Sequence, residues 1–197
     1  AAGGKVDAEW AGTARRAAEV LRQKGHEVVE ADPPYTMLDA IPVATRWLAG
    51  VAEVVESWGA DLHWDGLQRR TRVHARLGQW VRRLGGPRDG PKRRAARRLH
   101  GFLSGYDALL TPALAQPPIP VGPWAGRSWI ANILANMSYA PFAAPWNLVD
   151  APAGVVPTGS HPDGTPLAVQ IVGNRGAEAR VLDVMRVLED AFPTPLG

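Results

Sequence analysis

Bond-breaking chemistry without a bound metal or cofactor needs a nucleophile and a base held together, so the serines, histidines and lysines come first. The chain of 197 residues has no cysteine. That removes disulfides, thiolate catalysis and cysteine zinc sites, and leaves an oxygen or a nitrogen as any nucleophile. The lysines are Lys5, Lys24 and Lys92. Lys5 lies in a terminal tail, Lys24 beside Gly25 on a helix face, and Lys92 in an arginine run where neutralising the amine serves no visible purpose; none is assigned as a base. Ser104 lacks the G-x-S-x-G frame, and Ser160 and His161 are sequence neighbours in a turn, a spacing that does not establish a dyad. His26, His63, His74, His100 and His161 show neither H-E-x-x-H nor another ligand spacing, so no metal is expected. Neither G-x-G-x-x-G nor G-x-x-x-x-G-K-[ST] occurs, and no nucleotide or other cofactor is expected.

What the chain does hold is a set of aromatics in or beside irregular, proline-rich chain: Trp124, Trp129, Phe142 and Trp146. Long ordered loops tend to be functional, and apolar side chains line most small-molecule sites. These four are the candidate wall of a substrate pocket; packing anchors are the alternative reading for each.

The elements that must position them follow from periodicity. Asp7 is placed to cap a helix that carries Trp10, Ala14, Ala17 and Leu21 on one face and stops at Gly25. HEVVEADPP reads as a short strand closed by two prolines. Val43, Trp47, Val51, Val54 and Trp58 mark a second amphipathic helix, and Val73, Leu77, Trp80, Val81 and Leu84 a third. Ala95, Leu99, Phe102 and Leu103 make a fourth stripe with arginines opposite. This helical block spans about residues 40–104. Beyond it YDALLTP is a brief strand ending at Pro112, and the segment ALAQPPIPVGPW cannot join a central ladder because each proline lacks a donor. Ile130, Ile133, Leu134 and Met137 mark a short helix. AGVVP and LAVQIVG are apolar runs of strand length, expected to be buried on both faces, and a last helix turns Val181, Met185, Leu188 and Phe192 inward. Helices alternating with buried strands make the fold class α/β, over residues 1–197 as a single domain or a fragment of one.

Composition agrees. With 46% hydrophobic and 21% charged residues the chain reads as a soluble globular protein. No apolar run reaches the roughly 18 to 20 residues that span a bilayer, and AAGGKVDAEW lacks the apolar core of a secretion signal, so the expected location is the cytoplasm and no membrane partner is expected. The net charge of +3 hides an asymmetry: residues 69–98 carry twelve Lys and Arg against one acid, or +11, leaving ten basic and eighteen acidic residues, or −8, elsewhere. Phosphate binding would favour such a stretch, but these arginines sit opposite apolar stripes with few aromatics between them. A solvated face meeting acidic surface is preferred over a nucleic-acid-binding module.

Over residues 106–191 the order of short motifs resembles the C-terminal region of the amidase-signature family. The pieces are Tyr106 to Pro112 (YDALLTP), Trp146 to Gly159 (WNLVDAPAGVVPTG), Asp163 to Gly173 (DGTPLAVQIVG), and an amphipathic terminal helix. The opening helix and GHEVVEADPP are similar to the family's mid-chain helix and strand. Three residues depart from the pattern: Asp150 and Ala168 stand where the family prefers Gly, and Ala113 where Thr is common. The resemblance implies a portion of a mixed-sheet α/β/α fold, and structural roles for Pro112, Asn147, Pro152, Pro157, Gly159, Gly164, Pro166, Gln170 and Gly173. Pro157 and Gly159 are expected to end a buried strand, Asn147 to satisfy orphan backbone groups, and Gln170 to find partners if buried. It also implies a small-molecule amide substrate and a catalytic apparatus of nucleophilic Ser, bridging Ser in a cis peptide and Lys base, carried on a Gly/Ser-rich run that these residues do not contain. The expectation is therefore the C-terminal half of an amide hydrolase, inactive alone, whose partner is the missing N-terminal half of the same enzyme, with a homodimer possible. A truncated pseudo-enzyme or a non-catalytic structural or dimerisation domain is the alternative.

Overall fold

The computed structural model describes residues 5–122 and 126–192. In chain order the helices are α1 (Ala8–Gln23), α2 (Ala40–Ser57), α3 (Arg69–Arg83), α4 (Asp89–Leu103), α5 (Trp129–Tyr139), α6 (Ala144–Leu148) and α7 (Glu178–Ala191). The strands are β1 (Leu109–Pro112), β2 (Ala153–Ser160) and β3 (Pro166–Val172), in the order β1-β3-β2 and antiparallel at both pairings.

Local chemistry sets the first element. The Asp7 carboxylate accepts from the backbone N–H groups of Glu9 and Trp10 at 2.9 and 3.2 Å, two of the donors that a helix start leaves bare. Trp10, Thr13, Ala17 and Leu21 then fall on one buried face. The helix stops at Gly25, whose φ of +89° suits a residue without Cβ.

The sheet is buried between two helical layers. Ala17 and Leu21 of α1 and Val181 and Leu188 of α7 close over Val156, Val169 and Ile171. On the other side Ala95, Leu99 and Leu103 of α4 and Trp146 and Leu148 of α6 close over Val172. The α/β/α layering expected of this chain is therefore present, and β3 has helices against both faces. Each fully buried Leu or Val here contributes about 1.5–3 kcal/mol. Strand β2 differs from expectation. It is an edge strand whose residues alternate between buried and exposed, with Val155 outward and Val156 in the core. Pro157 and Gly159 do not end it; the register with β3 shifts between them and pairing resumes to Ser160. An edge position with a bulge is where a sheet tolerates a residue without an N–H, and Gly159 takes a φ of +128° there.

The turn between β2 and β3 is built as its residue types require. The Asp163 carboxylate accepts from the Thr165 hydroxyl and N–H at 2.6 and 2.9 Å, and Gly164 adopts φ +85°. The Thr165 hydrogen bonds hold the Asp163 carboxyl below the usual range. Gly173 closes β3 because α7 lies directly on it: a Cβ there would sit 2.7 Å from Val181 Cγ2. Its N–H donates to the carbonyl of Pro152 at 2.9 Å, fastening the start of β2.

The strand expected over residues 26–34 does not form; among the described residues no strand lies beside them. A strand is stabilised by its cross-strand neighbours, so β propensity without a partner leaves extended coil. The stretch is tied down at its end by Arg98, whose Nε donates to the Pro34 carbonyl at 2.7 Å and whose Nη2 reaches both carboxylate oxygens of Asp39.

The helices α2, α3 and α5 exist where the periodicity puts them, and their apolar stripes are split: Val43 packs against the core, whereas most of the bulky residues face outward. Trp47 and Val54 on α2 and Trp58 just after it, Leu77 and Trp80 on α3 and Leu84 just after it, and Ile130, Leu134 and Met137 on α5 are exposed. Helices α2 and α3 meet through small residues instead: Ala49, Ala52, Ala75 and Gly78 are buried. Within the arginine-rich stretch Arg82 pairs with Glu56, Lys92 with Asp150 and Arg98 with Asp39, and its one acid, Asp89, pairs with Arg46. No described helix is long and apolar enough to cross a membrane.

Candidate functional site

Several of the residues whose types could do chemistry are occupied by the fold. The Ser104 hydroxyl donates to the Gly101 carbonyl at 2.7 Å, Ser57 donates to Val54, and Ser128 caps α5 by accepting from the Ala131 N–H. Lys92 pairs with Asp150 at 2.8 Å. Among the described residues no serine hydroxyl has a Lys or His hydrogen-bond partner, and no group of three His, Asp or Glu could hold a metal.

Phe142 and Trp146, two of the four candidate wall residues, are core side chains. Trp146 is 1% exposed, packed between α4 and the segment 148–151, with Tyr35 edge-on at 5.8 Å. The Tyr35 hydroxyl and the Trp146 indole N–H are buried, and burial pushes the Tyr35 phenol far up, outweighing the nearby Trp146 indole, which lowers it. Phe142 is buried, and its carbonyl accepts from Gln170 Nε2 at 3.3 Å. The same Nε2 donates to Thr111 Oγ1 at 3.0 Å across the β1–β3 pairing, so the one polar residue in an apolar strand finds the partners its burial demands. Trp124 lies outside the described residues.

Trp129 is placed differently. It opens α5, half-buried, and its indole N–H donates to His74 Nδ1 at 3.2 Å. The His74 ring lies between Trp129 and Trp47, edge-on to each, with centroids 5.8 and 4.6 Å away. His74 Nε2 faces the Trp47 carbonyl at 3.4 Å. Beyond Trp47 opens a cavity of about 500 Å³ whose apolar wall includes Val51, Val54, Trp58, Leu62 and Leu67, with Arg46 at its margin. The structure thus joins one expected wall residue, Trp129, to two residues that the sequence does not single out as a site: a histidine with no ligand spacing and a tryptophan on the apolar stripe of an amphipathic helix. The available signal was spacing: Trp47, Val51, Val54 and Trp58 are apolar on one face of α2 while Ala49 and Ala52 supply a second face.

Asn147, expected to satisfy backbone groups with its amide, does not. It is exposed at the end of α6, and its side chain forms no hydrogen bond among the described residues. The backbone there is satisfied by the helical turn itself, with Asn147 N–H on the Ala143 carbonyl at 3.1 Å and Ala151 N–H on the Trp146 carbonyl at 3.1 Å. Asp150, at a position where the resembling family prefers Gly, has φ +57°, the left-handed region that Gly enters most readily and Asp tolerates. Lys92 and Arg175 both pair with its carboxylate.

Comparison with known proteins places this geometry. Residues 3–182 match the family described as Amidase. The protein named "Putative amidase AmiB2" in Mycobacterium tuberculosis is 32% identical over 180 residues, covering 90% of this chain and 38% of that one. A putative amidase of Synechocystis is 27% identical over 190 residues, covering 92% of this chain and 34% of that one. Among solved structures, a 6-aminohexanoate cyclic dimer hydrolase superposes with a TM-score of 0.81 at 26% identity, over 96% of this chain and 42% of that chain. A bacterial aryl acylamidase of the amidase-signature enzymes shares the fold, with a TM-score of 0.66 at 20% identity, over 96% of this chain and 41% of that chain. The chain spans well under half the length of the relatives it matches.

Proposed function

Because the chain belongs to the amidase family, we propose that it is the C-terminal part of an enzyme that hydrolyses amide carbon–nitrogen bonds, supplying core and substrate-pocket wall but not the nucleophile. The observation that carries this reading is the match over residues 3–182 to relatives of which it covers only 38%. Amide cleavage requires a hydroxyl whose proton is taken by a base and hydrogen-bond donors aimed at the oxyanion. The hydroxyls described above are instead bound to helix carbonyls or serve as caps. In this reading the nucleophilic Ser, the bridging Ser and the Lys base reside in a preceding portion of the same polypeptide, and the present residues form the remainder of one domain with it. Trp129 is the wall residue with a face left to offer a small-molecule amide. Phe142 and Trp146 contribute core packing.

A cytoplasmic location accords with the absence of cysteine. A homodimer accords with the exposed apolar faces of α2, α3 and α5.

The test is a comparison of the 197-residue chain with the longer product of its reading frame on simple amides, alongside labelling by a serine-directed phosphonate. Turnover and label are expected in the longer product, with the label on a serine outside these residues. Turnover by the chain alone that is lost on Ser104→Ala, or on changing any other serine here, would overturn the assignment.

A further inference from the structure

We propose that His74 is the positioning residue of the aromatic wall made by Trp47 and Trp129, and that it holds the two together only as a neutral ring. The indole N–H of Trp129 is a donor without acceptor capacity, so His74 Nδ1, 3.2 Å away, must present a lone pair. The ring proton then belongs on Nε2, which faces the Trp47 carbonyl at 3.4 Å. One tautomer therefore satisfies both neighbours. It links α2, α3 and α5 at a point where each helix otherwise exposes its bulky apolar residues to solvent.

A second proton would go to Nδ1 and set N–H against N–H. The Trp129 bond would be lost, and with it the polar tie between the start of α5 and α3. The surroundings oppose that proton. The ring is buried, and burial lowers its affinity for a proton, outweighing the Trp47 carbonyl, which raises it. Among the described residues no carboxylate lies within ion-pair distance of the ring. The charged residues of the elements packed around it are Arg69, Arg70, Arg72, Arg76, Arg82 and Arg83 on its own helix, Arg127 ahead of α5, and on α2 Arg46, Glu53 and Glu56, of which Arg46 pairs with Asp89 and Glu56 with Arg82. A folded-state affinity below the ordinary value of 6.5 means that stability resting on the neutral ring is fully present above that pH and is lost below it, as pH falls through the lower folded-state value. The consequence for a substrate rests on the wall reading of Trp129 given above; the latch itself does not.

The experiment is a titration of the full chain, nitrogen-15 labelled at tryptophan, from about pH 8 to about pH 4, so that the window reaches well below the ordinary imidazole value. The Trp129 indole cross-peak is identified by its loss in Trp129→Phe. It is expected downfield at the alkaline end and to move upfield on acidification. In His74→Asn, whose amide oxygen can stand in for Nδ1 as an acceptor that does not titrate, it should stay downfield throughout. An indole signal that does not move in the parent chain overturns the latch whatever the variant does, and so does equal movement in His74→Asn. No substrate enters this measurement, so absent amide hydrolysis would leave it standing, and an unmoved signal would leave the proposed hydrolysis untouched.

Discussion

Replacing Gln170 by Met isolates a single polar fastening in the sheet. The side chain is 5% exposed in the central strand, and its one amide nitrogen serves two acceptors, Thr111 Oγ1 at 3.0 Å and the Phe142 carbonyl at 3.3 Å. Met has nearly the same volume, so the cavity contribution is small. Each hydrogen bond has a net worth of about 1 kcal/mol, with more lost where the abandoned partner stays buried. Gln170→Met should therefore destabilise by about 2 kcal/mol, which in a chain of this length lowers the melting temperature by roughly 4–8 °C. Thr111→Val removes one abandoned acceptor, and the double variant should lose about 1 kcal/mol less than the sum of the single losses. Urea unfolding followed by circular dichroism gives all four corners of the cycle. A Gln170→Met chain within about 0.5 kcal/mol of the parent, or a cycle with no coupling, would refute the account of β3 being tied to β1 and to the turn before α6.

The contact between α2 and α3 depends on Gly78, where an added Cβ would lie 2.0 Å from the Leu48 carbonyl oxygen; Gly78→Ala should cost about 1–3 kcal/mol or more, read by urea unfolding. At Asp150, with φ +57° and two ion pairs to Lys92 and Arg175, Asp150→Gly trades about 1–2 kcal/mol of left-handed strain against exposed pairs worth about 0–1 kcal/mol each. It should fall within about 1 kcal/mol of the parent, whereas Asp150→Ala keeps the strain, loses the pairs and should be clearly less stable in the same assay. Asn147→Ala, which removes an exposed amide without a hydrogen bond among the described residues, should stay within about 0.5 kcal/mol by thermal melting.

What was legible in the sequence divides along a physical line. Elements whose fate is decided within a few residues were readable: the Asp7 cap, the Gly25 stop, and the Asp163–Gly164–Thr165 turn all carry out the chemistry of their own side chains. Helix α4 was readable because its one apolar face, Ala95, Leu99 and Leu103, has arginines around the rest and only one way to turn. Gln170 was readable as a residue in need of partners, though not which partners, since Thr111 is 59 residues away. Residues 26–34 were not readable as coil, because strand formation there depends on a neighbour that no local pattern reports.

The packing of α2 on α3 has the same origin and a sharper lesson. A periodic stripe such as Val43, Trp47, Val51, Val54 and Trp58 identifies an apolar surface; it does not say which of two apolar surfaces the neighbouring helix will choose. Helix α2 has a second one in Ala49 and Ala52, and α3 matches it with Ala75 and Gly78. Backbones can approach closely only where side chains are small, and close approach multiplies dispersion contacts that individually yield about 0.1–0.2 kcal/mol. A pair of helices with small residues at matching positions therefore gains by meeting there and turning its bulky side chains away. That outward turn is what leaves Trp47 at the cavity and against His74.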